Sequence, residues 1–259
     1  DVIFNGEYRG CYQLCDQIDI REGRVDITEM KPEDNTGDAL TGGYLIEIDA
    51  YASKEKCYFW SKKGIPVTIK SPDDEKITAQ QKKYIEEYFN NVLNKVFSDH
   101  FIHEDWGYYP YFDIDSFLKH FIIGELSGNT DTYWSVYMYK ERGDQKLYTG
   151  PVWDFDIAFD NDKRTHNELN NPSGFLYSSG TASFAGGDNM QQFVTRIVRM
   201  DPVAKARLKE MWNDLRDSGV ITPESLVQYV NDTEQYLDQS QKLNFTRWNN
   251  LNFNVNMNY

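Results

Sequence analysis

The sequence predicts an α+β fold, and three observations carry that reading. Short apolar, strand-like runs separated by turn residues fill the opening third of the chain. One long segment, residues 78–97, keeps a helical rather than a strand period. The final third, from about residue 190, is dominated by helical patterns with their own start and stop residues. Strands gathered first and helices gathered later argue for an antiparallel sheet with one long helix, followed by a mostly helical part.

In order along the chain, residues 2–20 read as a hairpin. Val2-Ile3-Phe4 leads into Asn5-Gly6, a dipeptide suited to the positive φ angles of a tight hairpin turn, and Tyr8 to Ile20 returns. Gly6 and Gly10 would let backbone approach a phosphate, but no G-x-G-x-x-G is present and a plain turn explains them equally. Residues 31–43 are turn-rich and read as an exposed loop. Tyr44 to Asp49, Cys57 to Trp60 and Ile65 to Lys70 read as three strands. The helix from about Thr78 to Phe97 places Ile85, Phe89, Val92 and Val96 on one apolar side.

Residues 99–112 are aromatic and turn-rich, a packed connector able to act as a hinge. His100, His103, Glu104 and Asp105 lack further ligands at matched spacing, so a metal reading has little support there. Asp113 or Asp115 caps a helix carrying Phe117, Phe121, Ile122 and Leu126. That helix leads to Gly128-Asn129-Thr130-Asp131. Val136 and Met138 then alternate with Tyr137 and Tyr139, the chain turns at Arg142-Gly143-Asp144, and Lys146-Leu147-Tyr148 returns. Residues 163–189 have the composition of a long surface loop suited to docking a substrate. Helices follow over 190–200, 202–218 and 223–243; Arg196, Arg199, Arg207 and Arg216 could reach phosphates, but solvating helix faces explains them more simply.

Composition restricts the function classes. With 259 residues, 40% hydrophobic and 15% aromatic, the chain can bury a core without disulfide staples. Its formal charge of −14 argues against nucleic acid or an anionic membrane as the main partner and favours a basic protein. Cys11, Cys15 and Cys57 are too few for a disulfide framework; one bridge with a spare thiol and buried free thiols both remain open. No apolar run approaches the ~20 residues needed to cross a bilayer. The chain opens inside a strand-like pattern, which points to a removed leader and to upstream sequence.

The chemistry concentrates between Gly124 and Asn161. Asp131 and Asp154 are separated by the hairpin-like stretch, a geometry that lets both carboxylates meet at one end of a two-stranded ribbon. Trp153-Asp154-Phe155-Asp156 sets two acids two residues apart, a donor pair suited to Mg²⁺ supported by substrate phosphates. The competing reading is an acidic loop that caps a helix or faces water.

The segment with GNTD, YMYK and GPVWDFDIAFDN resembles the core of the CotH family of spore-coat-type atypical protein kinases, and NGEYRGCYQLCDQID is similar to that family's N-terminal hairpin. The likeness is strong over roughly the first 160 residues and looser beyond. It implies a bilobal, protein-kinase-like fold: an N-terminal β-rich lobe over 1–105 with helix 78–97, and a C-terminal lobe over 106–259 with the catalytic hairpin 128–161 and helices 190–243. It implies ATP with Mg²⁺ or Mn²⁺ as cofactors and transfer of phosphate to Ser or Thr of a protein. By the same likeness Asp131 is catalytic, Asp154 with Asp156 holds the metal, and the location is extracytoplasmic.

Val67-Thr68-Ile69-Lys70 is similar to the V-A-I-K strand of protein kinases, and Glu86 and Glu87 follow on a helix about 16 residues later. Lys70, paired with Glu86 or Glu87, is therefore expected to cancel phosphate charge. A strand-end lysine beside a solvated helix face is the plainer alternative. The position five residues after Asp131, an asparagine in protein kinases, is Val136, so Ser135 or Asn129 would have to substitute at a second metal. Asp160 stands where the family has glycine. The alternatives to an active kinase are a degenerate member that binds nucleotide or protein without transfer, and a surface module that binds glycans through Tyr and Trp.

Overall fold

The computed structural model describes residues 1–162, 164, 174–178 and 186–252. The chain forms two compact units: residues 18–208, and a second made of residues 1–17 with 209–259. Most of the loop expected over 163–189, including Leu169 and Phe184, lies outside the described residues, as does the end of the Asn-rich tail.

The larger unit is built on a five-stranded antiparallel sheet. Its strands are β3 (Tyr44–Asp49), β4 (Tyr58–Trp60), β5 (Pro66–Ser71), β6 (Ser135–Lys140) and β7 (Tyr148–Thr149), in the order β4-β5-β3-β6-β7. Four of its helices are α1 (Ala79–Val96), α2 (Ile114–Ser127), α3 (Gly187–Thr195) and the start of α4 (Pro202–Asp217). A π-helical stretch, Arg196–Met200, follows α3. The structure is therefore α+β with antiparallel sheets. Because β6 pairs with β3 from Tyr44↔Lys140 to Asp49↔Ser135, the sheet draws strands from both sides of residue 105.

Both faces of this sheet are covered, and the pleat decides which residue goes where. Tyr44, Ile46 and Ile48 face α1, with the Tyr44 ring stacked on Tyr84 at 5.8 Å and Phe59 edge-on to Phe89 at 6.0 Å. Beneath them Ile48, Phe89, Val92, Phe112, Met138 and Phe193 close a dry core around a void of about 10 Å³. Leu45 and Tyr137 face the other way, under Val25 and Ile27, with Ile18, Ile20 and Tyr139 at the margin.

Helix starts follow their caps. Thr78 and Gln81 form a reciprocal capping box at α1, and Asp113 accepts from the Ser116 amide at 2.8 Å to start α2. Asp113 rather than Asp115 is thus the cap, and Asp115 instead pairs with Arg207 at 2.8 Å. Leu126, expected on the apolar side of α2, is 42% exposed. Arg196 is likewise spent on structure, donating from Nε to the Val96 carbonyl at 2.6 Å.

The smaller unit holds the hairpin of β1 (Val2–Phe4) and β2 (Glu7–Gly10), turning through Asn5 and Gly6 at φ 50° and 80°, and α5 (Pro223–Arg247). The hairpin ends at Gly10 and does not run on to Ile20: residues 11–19 carry no strand, and Ile20 makes only an isolated bridge to Val25. It is a separate two-stranded sheet. All three cysteines are free; Cys57 is buried and Cys15 exposed.

Candidate functional site

The site begins where α2 ends. Gly128 takes the left-handed conformation at φ 67°, a backbone that costs glycine little, and turns the chain out of the helix. The loop after it is bonded to itself: Asn129 Oδ1 accepts from the Asp131 amide at 3.0 Å, and the Asp131 carbonyl accepts from the amides of Trp134 at 2.9 Å and Ser135 at 3.3 Å. Asn129, Thr130 and Thr132 are buried, while the Asp131 side chain keeps 37% of its surface exposed. The backbone is fixed and the carboxylate is presented.

The second acidic loop is tied to the same place. The Phe159 amide donates to the Ser127 carbonyl at 2.6 Å, at the last residue of α2. Trp153 Nε1 donates to the Ser135 carbonyl at 3.0 Å, and the Trp153 ring sits edge-on to Tyr137 at 5.4 Å. Between these anchors Asp154 adopts φ 57°, a left-handed value uncommon for a residue with a side chain. Phe159 and Asp160 are left-handed too, at 55° and 64°. Aspartate tolerates that conformation better than most residues, which fits Asp160 at a glycine position.

Asp131 and Asp154 feel each other. Burial raises the Asp154 carboxyl above the usual carboxylate range, and the Asp156 charge, a hydrogen bond with Asp156 and the Asp131 charge push it further in the same direction. Asp156 is thus an acidic neighbour of Asp154, and the Asp131 charge is near enough to act on it. Asp131 is steadied by Arg164, whose Nη1 donates to Oδ1 at 3.2 Å.

Lys70 is placed differently from expectation. Its ammonium pairs with Glu47 at 3.0 Å, not with Glu86 or Glu87. The pleat is the reason: α1 covers the Tyr44 and Ile46 face, whereas Glu47 and Lys70 point to the opposite one. On α1, Glu86 is half-buried with its carbonyl taken by Asn90 Nδ2 at 2.9 Å, and exposed Glu87 approaches Lys83 at 3.9 Å. Burial raises the Glu47 carboxyl, and Lys70 opposes that rise. Lys70 also lines a cleft of about 450 Å³ with Leu45, Tyr137, Ile20 and Met30 as apolar walls and Lys76 at its rim.

Glu47 lies opposite Tyr137 in the β3–β6 register, and Tyr137 carries Trp153. A chain of neighbours therefore runs from Lys70 across one sheet face to the residue before Asp154. Of the residues marked in the sequence, Asn129, Asp131, Asp154 and Asp156 are on loops tied to the end of α2, Ser135 opens β6 beside them, Lys70 is on the adjoining face, and Glu86 and Glu87 stand apart on α1. Glu47, Asp162 and Arg164 were not anticipated. Glu47 reads as one more alternating residue in Leu45-Ile46-Glu47-Ile48-Asp49, and Arg164 pairs with Asp131 over 33 positions.

The CotH kinase protein family model matches residues 1–259. The chain belongs to the CotH kinase family. No curated protein and no solved structure matches it. Among the described residues no group of three or more His, Cys, Asp or Glu could hold a metal ion. A CotH kinase would need fewer, because Mg²⁺ is commonly held by one or two carboxylates with substrate phosphates completing its shell. The Asp156 charge pushes the Asp154 carboxyl up, so a cation held between the two would relieve both.

Proposed function

We propose that this CotH-family chain transfers the γ-phosphoryl group of ATP to a serine or threonine hydroxyl of a protein, with Mg²⁺ or Mn²⁺ bound. The observation that carries the reading is that the loops bearing Asp131 and Asp154 are both tied to the end of α2, the Asn129 amide donating to the Gly124 carbonyl at 3.1 Å and the Phe159 amide to the Ser127 carbonyl at 2.6 Å, with the Asp156 and Asp131 charges both acting on Asp154. Like charges close together are costly unless something cationic joins them.

In this reading Asp154, helped by Asp156, holds the metal, and the metal supplies neutralisation of charge on the β and γ phosphates. Lys70, paired with Glu47 at 3.0 Å, would face the phosphates from the sheet. Asp131 receives the hydroxyl proton as the acceptor oxygen bonds to the γ-phosphorus and the bond to the bridging oxygen of ADP breaks. Asn129 serves by fixing the Asp131 amide. Phosphoryl transfer asks chiefly for position and charge stabilisation, so this small set is sufficient.

The bilobal organisation with its boundary near residue 105 belongs to the proposal, with both lobes contributing strands to one sheet. So does a protein acceptor that is basic or rich in Ser and Thr, which suits the charge of −14. An extracytoplasmic location is likewise proposed, to be tested by cell fractionation. No helix among the described residues is long and apolar enough to cross a membrane.

The test is incorporation of label from γ-labelled ATP into the chain itself and into a basic Ser/Thr-rich acceptor, with Mg²⁺ or Mn²⁺. Wild type incorporates label, and Asp131→Asn and Asp154→Ala each reduce the rate by about 100-fold or more. Absence of label with wild type, or equal labelling by the variants, contradicts the reading; nucleotide binding without transfer would make the chain a degenerate member.

A further inference from the structure

Arg164 lies outside the motifs around Asp131 and Asp154, and its surroundings are built rather than incidental. Asp162 is fully buried, and among the described residues three hydrogen bonds reach its carboxylate: Thr130 Oγ1 donates to Oδ2 at 2.9 Å, and Arg164 donates from its amide to Oδ1 at 2.8 Å and from Nε to Oδ2 at 2.6 Å. With Asp162 holding the Nε side of the guanidinium, Nη1 extends to Asp131 Oδ1. Thr130 precedes Asp131 in the chain, so Thr130, Asp162, Arg164 and Asp131 close a ring of contacts around the loop.

The Asp131–Arg164 contact is about one third exposed on both sides, and a pair so open to water adds little to stability. Its anchor is different, since a buried carboxylate without its cation is strongly destabilising. The arrangement therefore places one defined edge of a guanidinium against one oxygen of Asp131 and leaves Oδ2 outside that contact.

We propose that Arg164 is the positioning residue that sets the orientation of Asp131 toward the acceptor hydroxyl, itself held in place by buried Asp162. This rests on the transfer reading above and goes beyond it in assigning the partner of the catalytic carboxylate. Arg164 touches no reacting atom in this role. Misplacement of a catalytic group by about 1 Å can lower a rate by about 100-fold.

The experiment measures kcat and the KM for ATP in wild type, Arg164→Ala, Arg164→Lys, Asp131→Asn and the double variant Arg164→Ala with Asp131→Asn. Arg164→Ala lowers kcat by about 10- to 100-fold with KM for ATP unchanged. Arg164→Lys recovers part of the loss, and in the Asp131→Asn background the alanine change has little further effect. A thermal shift by ATP with Mg²⁺ that survives in Arg164→Ala shows that the nucleotide site is still folded. The proposal is overturned if kcat is unchanged in Arg164→Ala, if it rises, which would make Arg164 a blocking residue, or if the two changes multiply independently. Wild type that transfers nothing would remove the transfer reading and this one together; active wild type with an equally active Arg164→Ala removes only this one.

Discussion

Glu125 shows how a single buried carboxyl links the helix that delivers the site to the segment beyond it. Its Oε1 accepts from Tyr133 Oη at 2.5 Å and from the Tyr177 amide at 3.0 Å, and Oε2 accepts from the Leu176 amide at 2.7 Å. Burial raises this carboxyl above the usual range, and the three donors only partly offset that. A carboxyl with a raised folded-state pKa favours the folded state most when protonated, below the unfolded value, and that advantage is lost as pH rises through the folded value. Between about pH 4 and about pH 7, urea unfolding should show wild type losing stability relative to Glu125→Gln as pH rises. A difference that is flat across that range, or that grows in favour of wild type, would contradict the assignment. Residues such as this are hard to read in advance. Asp131 and Asp154 stood out because a dense motif surrounds them, whereas Glu125 lies in an ordinary helix. Lys140 was equally hidden: it looks like the end of a strand, yet it is 1% exposed and donates to the carbonyls of Thr41 and Asp144 at 2.6 Å.

At the scale of elements, local chemistry was the part that could be read. Thr78 with Gln81, Asp113 with Ser116 and Thr222 before Pro223 mark helix starts through bonds spanning three residues, and Asn5-Gly6 marks its hairpin. The pairing of β6 with β3 could not be read this way, because nothing in either strand names a partner some ninety positions away. The pairing of β5 with β3, with the pleat, is what sends Lys70 to Glu47 instead of to α1. Likewise residues 11–19 have a strand-like alternation but no strand beside them to supply a ladder. The packing of α2 on the loop that carries Asp131 gives the prediction at this scale. A Cβ on Gly124 would meet Thr132 Cγ2 at 2.1 Å and its Cβ at 2.8 Å. Gly124→Ala should therefore destabilise the chain by about 1–3 kcal/mol in urea unfolding and lower phosphoryl transfer, because the loop carrying Asp131 must move off the helix. An alanine variant as stable and as active as wild type would show that this contact does not position the loop.

For the whole molecule, the five-stranded sheet places two features side by side on one face: the Lys70–Glu47 pair, and, opposite Glu47 on the neighbouring β6, Tyr137 with Trp153 against it and the acidic loops following. The sequence indicated both regions and the family they belong to; the sheet supplies the link between them. Phosphoryl transfer requires that they form one phosphate-binding site. The direct measurement is a thermal melt of the full chain with and without ATP and Mg²⁺, for wild type, Lys70→Met and Asp154→Ala. At about 100 times its dissociation constant, the nucleotide should add about 2.7 kcal/mol to wild type, and either variant alone should abolish most of that gain. No shift for wild type at millimolar nucleotide, or a full shift in both variants, would contradict it.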